Sequence, residues 1–369
     1  MYTFLIKPTN NCNLRCKYCF INNGVKSLSK TMTIELAKTI IDKIAQFILL
    51  PHNANNTCNI LWHGGEPLIK DASFYRAILC YMYETYPGVV WKNAMQTNLT
   101  LLTDDHIQVF KEFSVSVSTS MDGYSSLHDA NRIFANGNKT HSIIVEKLHK
   151  LAEMNMRSGL IVVLNKTNID GIIDIYNYYK KHNQSFRVNP LIDTGEALTN
   201  SNLSISPESY ATTMKRFFDY WINDNDAIPV HNFIEWTSTL VTRVTSSCSF
   251  TKNCQSQFTV IEPNGDISVC DRLCGNTEFI CGNIMKDDLY EVFLKKQKVF
   301  EDRSRILKTH ECKDCKYWDI CYGGCPTESR GGLENINMKF KYCDSYKEIY
   351  QHIENFINNT KFNYYETII

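Results

Sequence analysis

The chain of 369 residues is long enough for one large domain, or one large and one small. Hydrophobic residues at 43% and charged residues at 21% describe an ordinary globular protein, and 39 basic against 39 acidic residues give neither a nucleic-acid-binding field nor a membrane-directed charge. The first apolar stretch, Phe4–Ile6, is too short for a signal peptide or a membrane span, so a cytoplasmic protein is expected.

In chain order, Phe4–Ile6 reads as a strand followed by a cysteine loop. Thr33–Leu50 reads as a helix with Thr33 as its N-cap and Pro51 as its stop. A strand, Asn59–Trp62, ends in His63-Gly64-Gly65-Glu66-Pro67. The alternation continues with helix Ser73–Tyr86, strand Val89–Gln96, helix Asp104–Phe113, strand Ser114–Ser120, helix His141–Met154, strand Leu160–Leu164, helix Ile169–His182 and strand Phe186–Asn189. About six β/α units predict an α/β fold whose parallel sheet is closed, or nearly closed, into a partial TIM-like barrel. After Gly195 the rhythm changes to two helices, Pro207–Asn223 and Phe233–Thr245. A β-hairpin, Gln257–Glu262 with Asp266–Cys270, then turns through Asn264-Gly265. Little regular pattern is expected from there to a helix at Lys341–Asn358. The expected boundary puts residues 1–234 in the barrel and 235–369 in a cysteine-rich domain, packed tightly because no flexible linker separates them.

Ten of the 15 cysteines lie between Cys248 and Cys343. In a chain without a secretion signal, dense cysteine points to metal more than to disulfides, and a region poor in strands needs ligand bonds in place of a full core. Near the amino end, Cys12-x3-Cys16-x2-Cys19 supplies three soft thiolates from one loop. Three ligands leave one iron of a four-iron cluster open, as reactive sites require. The competing reading is a structural zinc site that borrows His63.

This spacing, with Tyr18 as the aromatic before the last cysteine, resembles the radical S-adenosylmethionine (SAM) superfamily. The resemblance implies a [4Fe–4S] cluster on Cys12, Cys16 and Cys19 whose open iron holds SAM, and a 5′-deoxyadenosyl radical that abstracts a substrate hydrogen. It also implies that Gly64, Gly65 and Glu66 meet the SAM amino group, that Ser120 and Arg132 contact its carboxylate or ribose, and that Leu191 contacts adenine by its backbone. A reducing flavodoxin or ferredoxin is the implied partner.

The spacing Cys254-x10-Gly265-x4-Cys270, Cys312-x2-Cys315-x5-Cys321-x3-Cys325 and Cys343 is similar to the SPASM domain of peptide- and protein-modifying radical SAM enzymes. By resemblance to anaerobic sulfatase-maturing enzymes, Cys248, Cys254, Cys270 and Cys325 hold one auxiliary [4Fe–4S] cluster. Cys312, Cys315, Cys321 and Cys343 hold another, three clusters in all, and Asp271 matches the catalytic base. Cys274 and Cys281 depart from that pattern and compete as ligands; Cys58 and Cys80 read as buried apolar residues. Trp62-His63 resembles peptide-cyclising maturases, where sulfatase maturases more typically carry Phe-Gln. The leading expectation is therefore a carbon-centred, cyclophane-type crosslink in a ribosomally made precursor peptide, with His63 orienting substrate. The alternative is formylglycine formation on a sulfatase. With Cys12 so early, no amino-terminal leader-binding domain is expected, and the barrel and SPASM surfaces would have to recognise a peptide.

Overall fold

In β1 (Tyr2–Thr9) the last six residues are all buried, as in a parallel strand covered on both faces. The computed structural model describes residues 2–21, 31–51, 53, 55–252, 254–256, 258–273 and 275–366. Strands β2 (Thr57–Gly64), β3 (Val90–Thr97), β4 (Ser116–Ser120), β5 (Ser158–Leu164) and β6 (Phe186–Pro190) follow β1 in parallel, each beside its predecessor. Helices α1 (Ile34–Ile48), α2 (Ala72–Thr85), α3 (Asp104–Glu112), α4 (His141–Glu153) and α5 (Ile172–Lys181) fill the crossovers. Thr33 caps α1, its hydroxyl accepting from the Leu36 amide, as its position before the apolar periodicity predicts.

The sheet is open, not closed. Its β1 edge pairs with β7 (Phe258–Ile261), parallel, with Thr3 opposite Phe258 and Ile6 opposite Ile261. Antiparallel β8 (Asp266–Ser268) and β9 (Ile280–Asn283) extend it to nine strands in the order β6-β5-β4-β3-β2-β1-β7-β8-β9. The hairpin turn sits where Asn-Gly predicts it, with Gly265 at φ +86°. Helices α6 (Pro207–Ile222) and α7 (His231–Thr242) cover the β6 end, and residue 235, the expected boundary, falls inside α7.

The expectation of little regular structure before residue 341 is corrected. Helices α8 (Leu289–Lys298) and α9 (Glu301–Thr309) and the hairpin β10 (Ser329–Gly331)–β11 (Asn335–Phe340) occupy that stretch, before α10 (Cys343–Glu366). In α9 only Arg303 and Leu307 are buried, so there is no apolar stripe for sequence reading to detect. Among the described residues, no helix is long and apolar enough to cross a membrane.

Candidate active site

The carboxyl ends of β1–β6 converge on a cavity of about 250 Å³, where barrel-type α/β folds place their chemistry. Cys12, Cys16 and Cys19 line one wall from the loop after β1; Gly64, Gly65, Ser120 and Arg132 line others. The glycines are required by backbone crowding. A Cβ on Gly65 would lie 2.3 Å from the carbonyl oxygens of both Asn10 and Asn11, and one on Gly64 2.2 Å from that of Thr9. The Gly65 and Glu66 amides donate to the Thr9 and Asn11 carbonyls at 3.0 and 2.8 Å. The β2 end therefore locks the cysteine loop in position.

Arg132 is buried, its Nη1 donates to the Tyr18 hydroxyl at 3.3 Å, and its Nε meets no acceptor among the described residues. Burial works against its charge, but Cys16, Tyr18 and Asp122 outweigh it and hold its pKa well above the usual value. A permanent cation with an unsatisfied donor beside three thiols fits a carboxylate-bearing ligand. Tyr18 lines the cavity and also donates to Asp122, whose other oxygen accepts from the Val163 amide at 3.0 Å. The Ser120 hydroxyl accepts from Gln96 at 3.3 Å and faces the same space.

Two expected contacts are committed elsewhere. Glu66 has no exposed surface: it accepts from the Thr97 hydroxyl at 2.6 Å and from the Leu68 and Asn98 amides at 2.9 and 2.7 Å. Burial raises its pKa, those three donors oppose the rise, and the carboxylate ties β2 to β3 instead of facing the cavity. Leu191 is buried with Tyr18, Ala197 and Leu203; its amide donates to Leu164 and its carbonyl accepts from Tyr342. The neighbouring Ile192 lines the cavity instead.

His63 lines the cavity, and its Nδ1 is 3.3 Å from the Asp271 carboxylate. On its other side Asp271 meets Lys7 Nζ at 2.5 Å, and Lys7 also meets Glu262 at 3.1 Å. Asn10 donates to Glu262 at 3.0 Å. Burial alone would raise the Asp271 pKa, but Lys7 and His63 prevail and lower it. Burial lowers the His63 pKa against the pull of Asp271. Sequence reading gave Lys7, Glu262 and Asn10 no role. The available signal was a lysine directly after the apolar run Phe4–Ile6.

The carboxy-terminal thiols gather in two groups. Cys248, Cys254 and Cys270 all lie within electrostatic range of Cys325. Cys312, Cys315, Cys321 and Cys343 line one small cavity. Burial pushes the Cys254 and Cys312 thiols up to about 11 and Cys321 up to about 12, so a metal taking them as thiolates must displace protons. Buried Cys281 has Lys295 and Lys296 as its charged neighbours, and Lys296 is also within electrostatic range of Cys254 and Cys270 of the first group; Cys274 lies outside the described residues. Cys58 is fully buried and Cys80 half-buried. Arg272 lines the main cavity and reaches Cys325 Sγ at 3.5 Å while paired to Glu328, which joins the first thiol group to the cavity wall.

The profile of the radical SAM superfamily matches residues 6–179. Residues 6–179 form a radical SAM domain, and the protein is a radical SAM enzyme. The family implies a [4Fe–4S] cluster and SAM, which the three-thiol wall and Arg132 fit. The chain is 28% identical to a cysteine-type anaerobic sulfatase-maturating enzyme of Clostridium perfringens, over 97% of this chain and 99% of that one. It is 24% identical to a serine-type anaerobic sulfatase-maturating enzyme of Bacteroides thetaiotaomicron, over 97% and 90%. The solved structure of native anSMEcpe with bound AdoMet and Kp18Cys peptide superposes with a TM-score of 0.85 at 25% identity, over 97% of this chain and 99% of that chain.

Proposed function

We propose that this radical SAM enzyme is a maturase that oxidises a Cys or Ser side chain of a peptide or protein substrate to the aldehyde of formylglycine. The observation that carries the reading is Asp271, held between Lys7 and the cavity-lining His63, one residue past a thiol of the first carboxy-terminal group. Near full-length similarity to cysteine-type and serine-type sulfatase-maturating enzymes supports it. The leading expectation from the sequence, a cyclophane-type crosslink, rested on Trp62-His63 and finds no support among these relatives. Trp62 is fully buried and donates to Asn93 at 3.3 Å, so only His63 of that pair faces the cavity and the motif argument weakens.

In this reading Cys12, Cys16 and Cys19 hold the SAM-binding cluster, and the two carboxy-terminal groups, arranged as a SPASM domain, hold the auxiliary clusters, with a flavodoxin or ferredoxin as reductant. Bound, these groups supply hydrogen-atom abstraction and an acceptor for one further electron. The protein supplies geometry and proton transfer. Gly64 and Gly65 bring backbone to the ligand, and Ser120 and Arg132 grip its polar groups. Once a hydrogen atom has left the substrate β-carbon, the side-chain oxygen or sulfur must lose a proton, and the substrate one electron, to reach the aldehyde or thioaldehyde. Asp271 Oδ takes that proton; Lys7 keeps the carboxylate ionised and His63 orients the substrate edge. A thioaldehyde from Cys then exchanges its sulfur for the oxygen of water.

The test is anaerobic turnover of Cys- and Ser-containing sulfatase peptides with SAM and dithionite. The expected product is an aldehyde captured by a hydrazide. Asp271→Asn should still give 5′-deoxyadenosine while aldehyde formation falls roughly 10²–10⁴-fold. A product lacking two hydrogens that resists both hydrazide and sequencing would mean crosslinking and overturn the reading.

A further inference from the structure

Arg303 of α9 is 4% exposed. Its Nε donates to the Ile336 carbonyl at 2.6 Å, Nη1 to Gly324 at 3.0 Å, and Nη2 to Gly323 and Met338 at 2.9 and 3.0 Å. All four acceptors are neutral, and no carboxylate pairs with it among the described residues. A buried full charge with dipolar partners alone is costly, and proteins bury charges with a counter-charge or a metal centre nearby.

Its position indicates what that counter-charge is. Gly323 and Gly324 lie in the short link from Cys321, of the second thiol group, to Cys325, of the first. The guanidinium grips that link from α9 and fastens it to β11. Both glycines have positive φ, +83° and +74°, and a Cβ on either would strike Leu307 or Phe340. The link is therefore held in one conformation, with the guanidinium against it. Cys325 and Cys254 of the first group and Cys321 and Cys312 of the second all lie within electrostatic range of the Arg303 charge. Arg272, by contrast, touches Cys325 but is already neutralised by Glu328.

We propose that Arg303 is a positioning residue serving both cysteine groups as their shared counter-charge, and that it raises the reduction potentials of the two clusters they hold. This rests on the reading that each group holds an iron–sulfur cluster. A four-thiolate cluster gains negative charge on reduction, and a fixed cation between two of them favours the reduced form of each. Coupled through one cation, both clusters become better acceptors for an electron leaving the substrate.

The experiment uses the full-length chain with Cys12, Cys16 and Cys19 changed to Ala, so that only auxiliary signals remain. Iron content is read first: about eight irons support two auxiliary clusters, and a value near zero sinks that reading and the proposal with it. Redox titration followed by electron paramagnetic resonance then compares Arg303, Arg303→Gln and Arg303→Lys. The expected result is a downward shift of both midpoint potentials in the Gln variant, of at least a tenfold change in the reduction equilibrium, about 59 mV for one electron. The Lys variant, which keeps the charge, should recover most of that shift. Unchanged potentials in an iron-replete Gln variant, a shift in one cluster alone, or a Lys variant that falls as far as Gln would overturn the proposal. Loss of iron from both variants would reduce Arg303 to a folding role and overturn it equally.

Discussion

Lys7 is the residue on which the site's electrostatics turn. Fully buried, it balances Glu262 and Asp271 at once. Lys7→Met should therefore destabilise the protein by about 3–5 kcal/mol, because buried Glu262 and partly buried Asp271 lose their cation. Anaerobic denaturant titration measures this, and adding Asp271→Asn should restore part of the loss, since the pair is coupled. At Glu66 the structure separates folding from ligand binding. Glu66→Gln turns one acceptor into a donor facing a donor, which costs about 1.5–3 kcal/mol. The fraction that remains folded should still bind SAM in equilibrium dialysis, whereas Arg132→Met should not. The Cys12, Cys16, Cys19 spacing and the Gly64-Gly65 turn are local motifs legible in the sequence, whereas Ser120 and Arg132 entered only through the family resemblance; all of them line one cavity. Lys7 with Glu262 was not legible, because its partner lies 255 positions away.

Among the elements, the turn after β4 depends on a neutral histidine. His128 Nδ1 accepts from the Asp122 amide at 3.2 Å, and Nε2 faces the Thr140 hydroxyl at 3.0 Å. Burial, then Arg132 and His141, hold its pKa well below the usual value. With the folded value depressed, the stabilisation is complete above the unfolded pKa of about 6.5 and is lost as pH falls below it. Unfolding free energy should decline from pH 7 to pH 5, and less steeply in His128→Gln; equal slopes would contradict this assignment. The six β/α units were legible because their apolar periodicity is strong. Helices α8 and α9 were not: one is short and lysine-rich at its end, and the other buries an arginine where a stripe would need an apolar residue.

The whole molecule is tied together by one strand pairing. Because β7 completes the β1 edge, the halves share a sheet as well as the Lys7 ion network. Residues 1–234 expressed alone should be insoluble or lack cooperative unfolding, since β1 would expose an unpaired edge and Lys7 would lose both carboxylates. Circular dichroism of any soluble fraction on heating is the check. The same pairing has a consequence in time. Thr3 leaves the ribosome some 255 residues ahead of its partner Phe258, a wait of roughly 10–50 s at ordinary elongation rates. Through that interval the nascent chain carries a sticky strand edge beside an unfinished cysteine loop. Slower synthesis lengthens the exposure, so recovery of intact protein should depend on holdase chaperones during translation more than on the final fold's stability.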